Sequence, residues 1–170
     1  MIAHSILLVS PVATDATIIR RATLDDAQQI SELVHLGERE GQLLPRSDDS
    51  IRTSIDDWII AEENGRIVGC GSLLEMSPVL VEVRSLAVAP EHRKNGVGAQ
   101  IVSALVDLAR ERGIPTVFAL TREVLFFEKL GFRVTEKENF PEKVWRDCNI
   151  CPVQLMCDEV AMVKSVSNEQ

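Results

Sequence analysis

The stretch "VRSLAVAPEHRKNGVGAQIV", Val83 to Val102, decides how this chain folds. Its first half is an apolar run that reads as a strand and ends at Pro90, whose missing N–H cannot continue a ladder. Its second half opens "GVGAQIVSALVDLARERG", an amphipathic helical pattern stopped by Gly113, with Pro115 just beyond. Three potential cations, His92, Arg93 and Lys94, stand directly ahead of that helix in a chain whose formal net charge is −8. A helix start presents unpaired N–H groups and roughly half a positive charge. Gly96 and Gly98 lack Cβ atoms, so a ligand can approach that backbone closely. The stretch therefore reads as a strand feeding an anion cradle suited to a phosphate or pyrophosphate.

Working outward, "TVFAL" is a further core strand and "REVLFFEKLG" a helix closed by Gly131. "FRVTEKE" and "DEVAMVKSV" read as a final pair of strands. Upstream, "TIIRRAT" is a short β-branched strand, and Thr23 caps "LDDAQQISELVHLG", whose apolar residues recur at helical spacing. Gly41 and Pro45 interrupt, and "SDDSIRTSIDDW" reads as a second short helix. "WIIAEENG", "RIVGCGSLLEM" and "VLVEVRSLAVAP" form a three-strand meander, with Asn64-Gly65 as the hairpin signal and Ser77-Pro78 as the second turn. Antiparallel strands followed by a β-α-β unit predict an α/β fold: a mixed, mostly antiparallel sheet with helices on both faces.

At 170 residues, 45% of them hydrophobic, one domain with a proper core is expected, here residues 17–170 behind an extension of residues 1–16. A pI near 4.9 argues against a general nucleic-acid or anionic-membrane surface. No apolar run approaches the ~20 residues that span a bilayer. The opening "MIAHSILLVSPVA" has no Lys or Arg before Arg20 and so lacks the basic start of a signal peptide. The expectation is a cytoplasmic protein whose four cysteines are thiols or metal ligands before they are disulfides.

Two familiar phosphate loops fail on residue identity. A Walker A loop needs Gly-Lys-Ser/Thr, which is absent, and the third glycine of a dinucleotide fingerprint is replaced by Ile101. Leu86-Ala87-Val88, then Arg93-x-x-Gly96-x-Gly98 opening a long helix, closely resembles instead the acetyl-CoA-binding motif of the GCN5-related N-acetyltransferase (GNAT) superfamily. "FFEKLGF", Phe126 to Phe132, resembles that superfamily's "FYEKLGF" at the expected distance. The resemblance implies acetyl-CoA as cosubstrate. Its pantetheine arm would lie on the backbone near Leu86, Ala87 and Val88, and its pyrophosphate on the amides of Arg93, Lys94, Asn95, Gly96, Val97 and Gly98. Thr121 and Phe127 would complete the coenzyme site. It also implies direct attack of a deprotonated amine on the thioester, with the enzyme holding both reactants together. By analogy a homodimer is expected.

The pattern departs at one place. The tyrosine that protonates the departing thiolate in many members is Phe127 here, and the chain has no tyrosine. For a base the candidate is Glu82, with Glu75 in reserve. Strand periodicity puts Glu82, Arg84, Leu86 and Val88 on one face, aiming carboxylate and guanidinium along the groove; ordinary cross-strand ion pairing is the plainer alternative.

Three more stretches narrow the acceptor. "GQLLPRS", "EVRSLAV" and "PEKVWRDCNICP" with "CDEVAM" resemble catalytic domains of N-acetylglutamate synthases, the last two pieces matching the short single-domain forms. That resemblance implies acetylation of the α-amino group of glutamate, which begins arginine biosynthesis. An acidic amino acid needs cations: Arg46 and Arg84 for the α-carboxylate, and Lys143 or Arg146 for the distal one. Glutamine or another small amino acid would use the same α-carboxylate contacts, so the distal contact decides. Cys148, Cys151 and Cys157 form C-x2-C-x5-C, short of a complete tetrahedral zinc set without a fourth ligand. The expected partners are a small amino acid and acetyl-CoA, not nucleic acid or membrane.

Overall fold

The computed structural model describes residues 16–140, 146–151 and 156–166. Strand β1 (Ile18–Arg21) leads through a 3-10 turn into helix α1 (Ala27–Arg39), and α2 (Asp48–Thr53) follows. The meander is β2 (Trp58–Glu63), β3 (Arg66–Ser77) and β4 (Leu80–Val88). Helix α3 (Val97–Glu111) crosses to β5 (Thr116–Thr121), and α4 (Val124–Lys129) leads to β6 (Arg133–Thr135), with β7 (Val160–Ser165) last. The sheet order is β1-β2-β3-β4-β5-β7-β6, so the final strand inserts between β5 and β6. Among the described residues only β4 and β5 run parallel.

One face of the sheet is covered by α3, the other by α1 and α2. Alternation along β2 makes the division: Ile59 and Ala61 join the core under α3, while Trp58 and Ile60 join the core under α1. Helix α3 lies close because β3 offers glycines there. A Cβ on Gly69 would sit 2.7 Å from Ile101 Cδ1 and 3.0 Å from Val97 Cγ1. Asn64 and Gly65 take φ of 51° and 75°, as the tight hairpin between β2 and β3 requires.

Strand β4 differs from its sequence pattern. Arg84 stands opposite Ser72, but Ala87 stands opposite Cys70, so β4 carries one extra residue there. Ser85 absorbs it with φ +54°. The face therefore switches in mid-strand. Glu82 and Arg84 point to the α1–α2 side, whereas Leu86 and Val88 pack on the α3 side, so the expectation of a single shared face is corrected. Glu75 pairs with Val81 on the α3 side and is exposed, which removes it as a reserve base.

The entry to α1 rests on a buried carboxylate. Asp26 accepts from both Arg20 Nη1 (2.7 Å) and Nη2 (2.9 Å), and from the Thr23 backbone N–H (2.7 Å). The Arg20 hydrogen bonds hold the Asp26 carboxyl below its ordinary value. Asp26→Asn should cost about 2 kcal/mol at pH 7. Because the folded-state value is depressed, this contribution is complete above the ordinary carboxylate range, about pH 4, and is lost as pH falls through the lower folded value. Urea midpoints of wild type and variant should therefore differ at neutral pH and converge in acid.

Candidate active site

Strands β4 and β5 are paired only from Leu80 to Glu82 against Thr116 to Phe118. Beyond that point each continues without the other, and the parted strands open a groove of about 800 Å³. Val83 to Leu86 and Val88 line one wall; Ala119, Leu120 and Thr121 line the other. Among the described residues no helix is long and apolar enough to cross a membrane.

At one end lies the start of α3. Gly96 occupies its N-cap with φ 82°, and Lys94 ahead of it also takes positive φ, 65°. Gln100 N–H is bonded to Gly96 O, which leaves the amides of Val97, Gly98 and Ala99 with no acceptor inside the helix. Added Cβ atoms would meet nothing within 4 Å at Gly96, and at Gly98 their nearest neighbours would be the Phe126 and Val88 side chains, at 3.5 and 3.6 Å. The open, glycine-rich helix start expected from the sequence is formed, and Lys94 is exposed beside it.

Several residues expected there for their backbone have side chains engaged elsewhere. Val97 turns its side chain into the core, and Ala87 packs under α1, so both offer only backbone. Asn95 is exposed and does not line the groove. Arg93 braces the loop: Nε donates to Val88 O (2.9 Å) and Nη2 to Glu40 Oε2 (2.7 Å). His92 Nε2 lies 2.9 Å from Glu63 Oε2. Thr121 Oγ1 accepts from the Glu123 N–H (2.8 Å) and so shapes the turn into α4. Phe127 is buried, edge-on to both Phe126 and Phe132. Phe126, which sequence reasoning passed over, is the ring that faces Gly98. The doubled phenylalanine was its signal.

The other end is charged. Glu82, 3% exposed, is the last β4 residue paired with β5 before the strands part. Its Oε2 lies 4.0 Å from Arg84 Nη1, which also has Asp147 Oδ2 at 3.7 Å. Arg46 Nε donates to Ser85 Oγ (3.3 Å), so the bulge residue holds an arginine from the α1–α2 loop. Burial pulls the Arg46 guanidinium below its ordinary value; Glu82 and Asp147 oppose this, and Arg146 adds to it. Arg146 itself is exposed and does not line the groove. Lys143 lies outside the described residues. Sequence reasoning missed Ser85 and Asp147, since neither a bulge nor a loop contact has a periodic signal.

Cys148, Cys151 and Cys157 line the groove mouth, and Lys137 Nζ lies 3.2 Å from Cys157 Sγ. Among the described residues no three His, Cys, Asp or Glu side chains are grouped to hold a metal ion. Burial pushes the Cys70 thiol up to about 12, leaving it a small core residue without nucleophilic character.

Comparisons with known proteins agree with this fold. The model of the acetyltransferase (GNAT) family matches residues 24–132. An uncharacterized N-acetyltransferase of Chlorobaculum tepidum is 40% identical over 150 residues, covering 88% of this chain and 97% of its own length. An amino-acid acetyltransferase of Aeromonas salmonicida is 34% identical over 124 residues, 72% of this chain but 28% of that protein. The N-acetylglutamate synthase of Neisseria gonorrhoeae, solved with coenzyme A and N-acetyl-glutamate, superposes with a TM-score of 0.77 at 26% identity, over 90% of this chain and 36% of that one. A Mycobacterium tuberculosis protein solved with CoA gives 0.74 at 27% identity, over 87% and 98%. The chain thus spans about a third of the length of the amino-acid acetyltransferase and synthase it matches.

Proposed function

The chain belongs to the acetyltransferase (GNAT) family, and from that premise we propose that it transfers the acetyl group of acetyl-CoA to the α-amino group of an amino acid of glutamate's size, with L-glutamate the reference acceptor. This is the reaction that begins arginine biosynthesis in the synthases it resembles. Acetyl-CoA supplies the acyl group as a thioester. The amides of Val97, Gly98 and Ala99, with Lys94, would hold its phosphates, and Leu86, Val88 and Phe126 would flank its arm.

The observation that carries the reading is the placement of Glu82. Its carboxylate is buried at the fork of β4 and β5, on the opposite face from Leu86 and Val88. One strand thus serves both halves of the groove: coenzyme side chains after the bulge, acceptor side chains before it. Glu82 takes the proton from the acceptor's ammonium, directly or through a water, freeing the lone pair for attack. Arg46 receives the α-carboxylate and holds the amine near Glu82. No side-chain acid is assigned to the leaving thiolate, which is a fair leaving group by itself.

Thiol release measured against a panel of amino acids, polyamines and aminoglycosides tests the reading. Transfer to amino acids alone is expected; transfer to none of them ends it. A charge-assisted contact is worth about 1.5–3 kcal/mol, so Arg46→Ala should raise the acceptor KM roughly 10- to 100-fold while the acetyl-CoA KM stays put. Equal damage to both constants would remove Arg46 from the acceptor site.

A further inference from the structure

Arg46 sits on the loop of residues 40–47, which joins α1 to α2 over the surface. Both ends of that loop are anchored locally. Gln42 and Leu43 donate backbone N–H groups to Gly37 O at 2.9 and 3.2 Å, and a Cβ on Gly37 would sit 2.7 Å from Leu43 Cδ1, so the two residues pack closely. At the other end Ser47 caps α2, its Oγ accepting from the Ser50 N–H (3.2 Å). Leu44 and Pro45 between these anchors are exposed. Exposed loop backbone belongs to the least stable part of a fold, so whatever fixes the next residue sets the reach of its side chain.

That next residue, Arg46, is held from two sides. Its Nε donates to Ser85 Oγ on the bulge of β4 (3.3 Å), and its backbone O lies 3.2 Å from His35 Nε2 on α1. A carbonyl oxygen only accepts, so this Nε2 carries a hydrogen. Asp48 Oδ1, 3.7 Å from the same nitrogen, is beyond hydrogen-bond reach and accepts instead from the Ser31 hydroxyl. The imidazole N–H therefore serves the Arg46 carbonyl. His35 does not line the groove, so it has no contact to offer an acceptor directly.

We propose that His35 is a positioning residue: its Nε2–H holds the backbone of Arg46 where the guanidinium meets the acceptor's α-carboxylate. The proposal rests on the amino-acid reading above and supplies the support which that carboxylate contact requires. Loss of the bond loosens the loop, and the cost falls on acceptor binding. The half of the groove proposed for the coenzyme lies beyond the bulge and is spared.

The test uses the full chain with acetyl-CoA, with L-glutamate and L-glutamine each as acceptor and initial thiol release as the readout. His35→Leu removes the donor, and His35→Gln keeps an N–H on a side chain of similar reach; both are strong helix formers, so α1 is not weakened. His35→Leu should raise the acceptor KM about three- to tenfold, the loss of one net hydrogen bond, with kcat and the acetyl-CoA KM unchanged. His35→Gln should bring the acceptor KM back to within about twofold of wild type. In an Arg46→Ala background His35→Leu should change it by less than about twofold, because a residue acting through Arg46 then has nothing to position. A merely structural role would damage both backgrounds alike. An acceptor KM unmoved by His35→Leu, a rise of equal size without Arg46, or no recovery with His35→Gln overturns the proposal and leaves the amino-acid reading standing. An acceptor KM unmoved by Arg46→Ala removes Arg46 from the acceptor site, and wild-type transfer to neither amino acid ends the reading itself; the proposal falls with either.

Discussion

Replacing Glu82 by glutamine should lower kcat by roughly 10²- to 10⁴-fold, the range that a positioned general base contributes, and leave the KM for acetyl-CoA where it is. The substitution keeps the shape of a residue that is 3% exposed and removes only its basicity. The half of the groove proposed for the coenzyme is untouched, because the bulge at Ser85 sends Leu86 and Val88 to the other face. Single-turnover acetyl transfer with saturating acetyl-CoA isolates the step. A fall smaller than about tenfold would mean that solvent takes the amine's proton and that Glu82 serves only to balance Arg46 and Arg84.

The second large effect concerns the cradle. Gly98→Val should weaken coenzyme A binding by roughly 100-fold, the loss of about two charge-assisted hydrogen bonds. One Cβ at Gly98 meets Phe126 and Val88 only at ordinary contact distance, 3.5 and 3.6 Å. A branched side chain extends further, into the space over the α3 amides. Gly98→Ala is the control: it should bind coenzyme A nearly as wild type and gain up to about 1 kcal/mol in stability, as alanine is the better helix former. Calorimetric titration with coenzyme A separates the two. Undiminished binding by Gly98→Val would show that the pyrophosphate does not rest on this helix.

Both predictions depend on features of different legibility. The cradle could be read directly, because glycines, cations and an amphipathic run are contiguous from His92 to Val102, and local sequence alone determines where a helix begins. The same holds for the Asn64-Gly65 hairpin, the helix ends at Gly113 and Gly131, and the β-α-β crossover through α3. The choice of Glu82, Arg46 and Arg84 needed the family resemblance as well as residue type. Their burial and mutual approach came only with the fold.

What the chain's order of residues determined by itself was therefore the set of elements, the mixed sheet they build and the glycine-capped start of α3 with its open amides. Tertiary structure alone decided which face each part of β4 presents. Period-two reasoning carried Glu82, Arg84, Leu86 and Val88 to a single side, and the extra residue at Ser85 divided them. A bulge is set by what opposes it, here Gly71 and the close approach of α3, together with Arg46 on the Ser85 hydroxyl. Those partners are 14 and 39 residues away in the chain (85 − 71 and 85 − 46), beyond the reach of any local pattern. Asp147 lies farther still, so its place beside Arg84 is a property of the folded molecule.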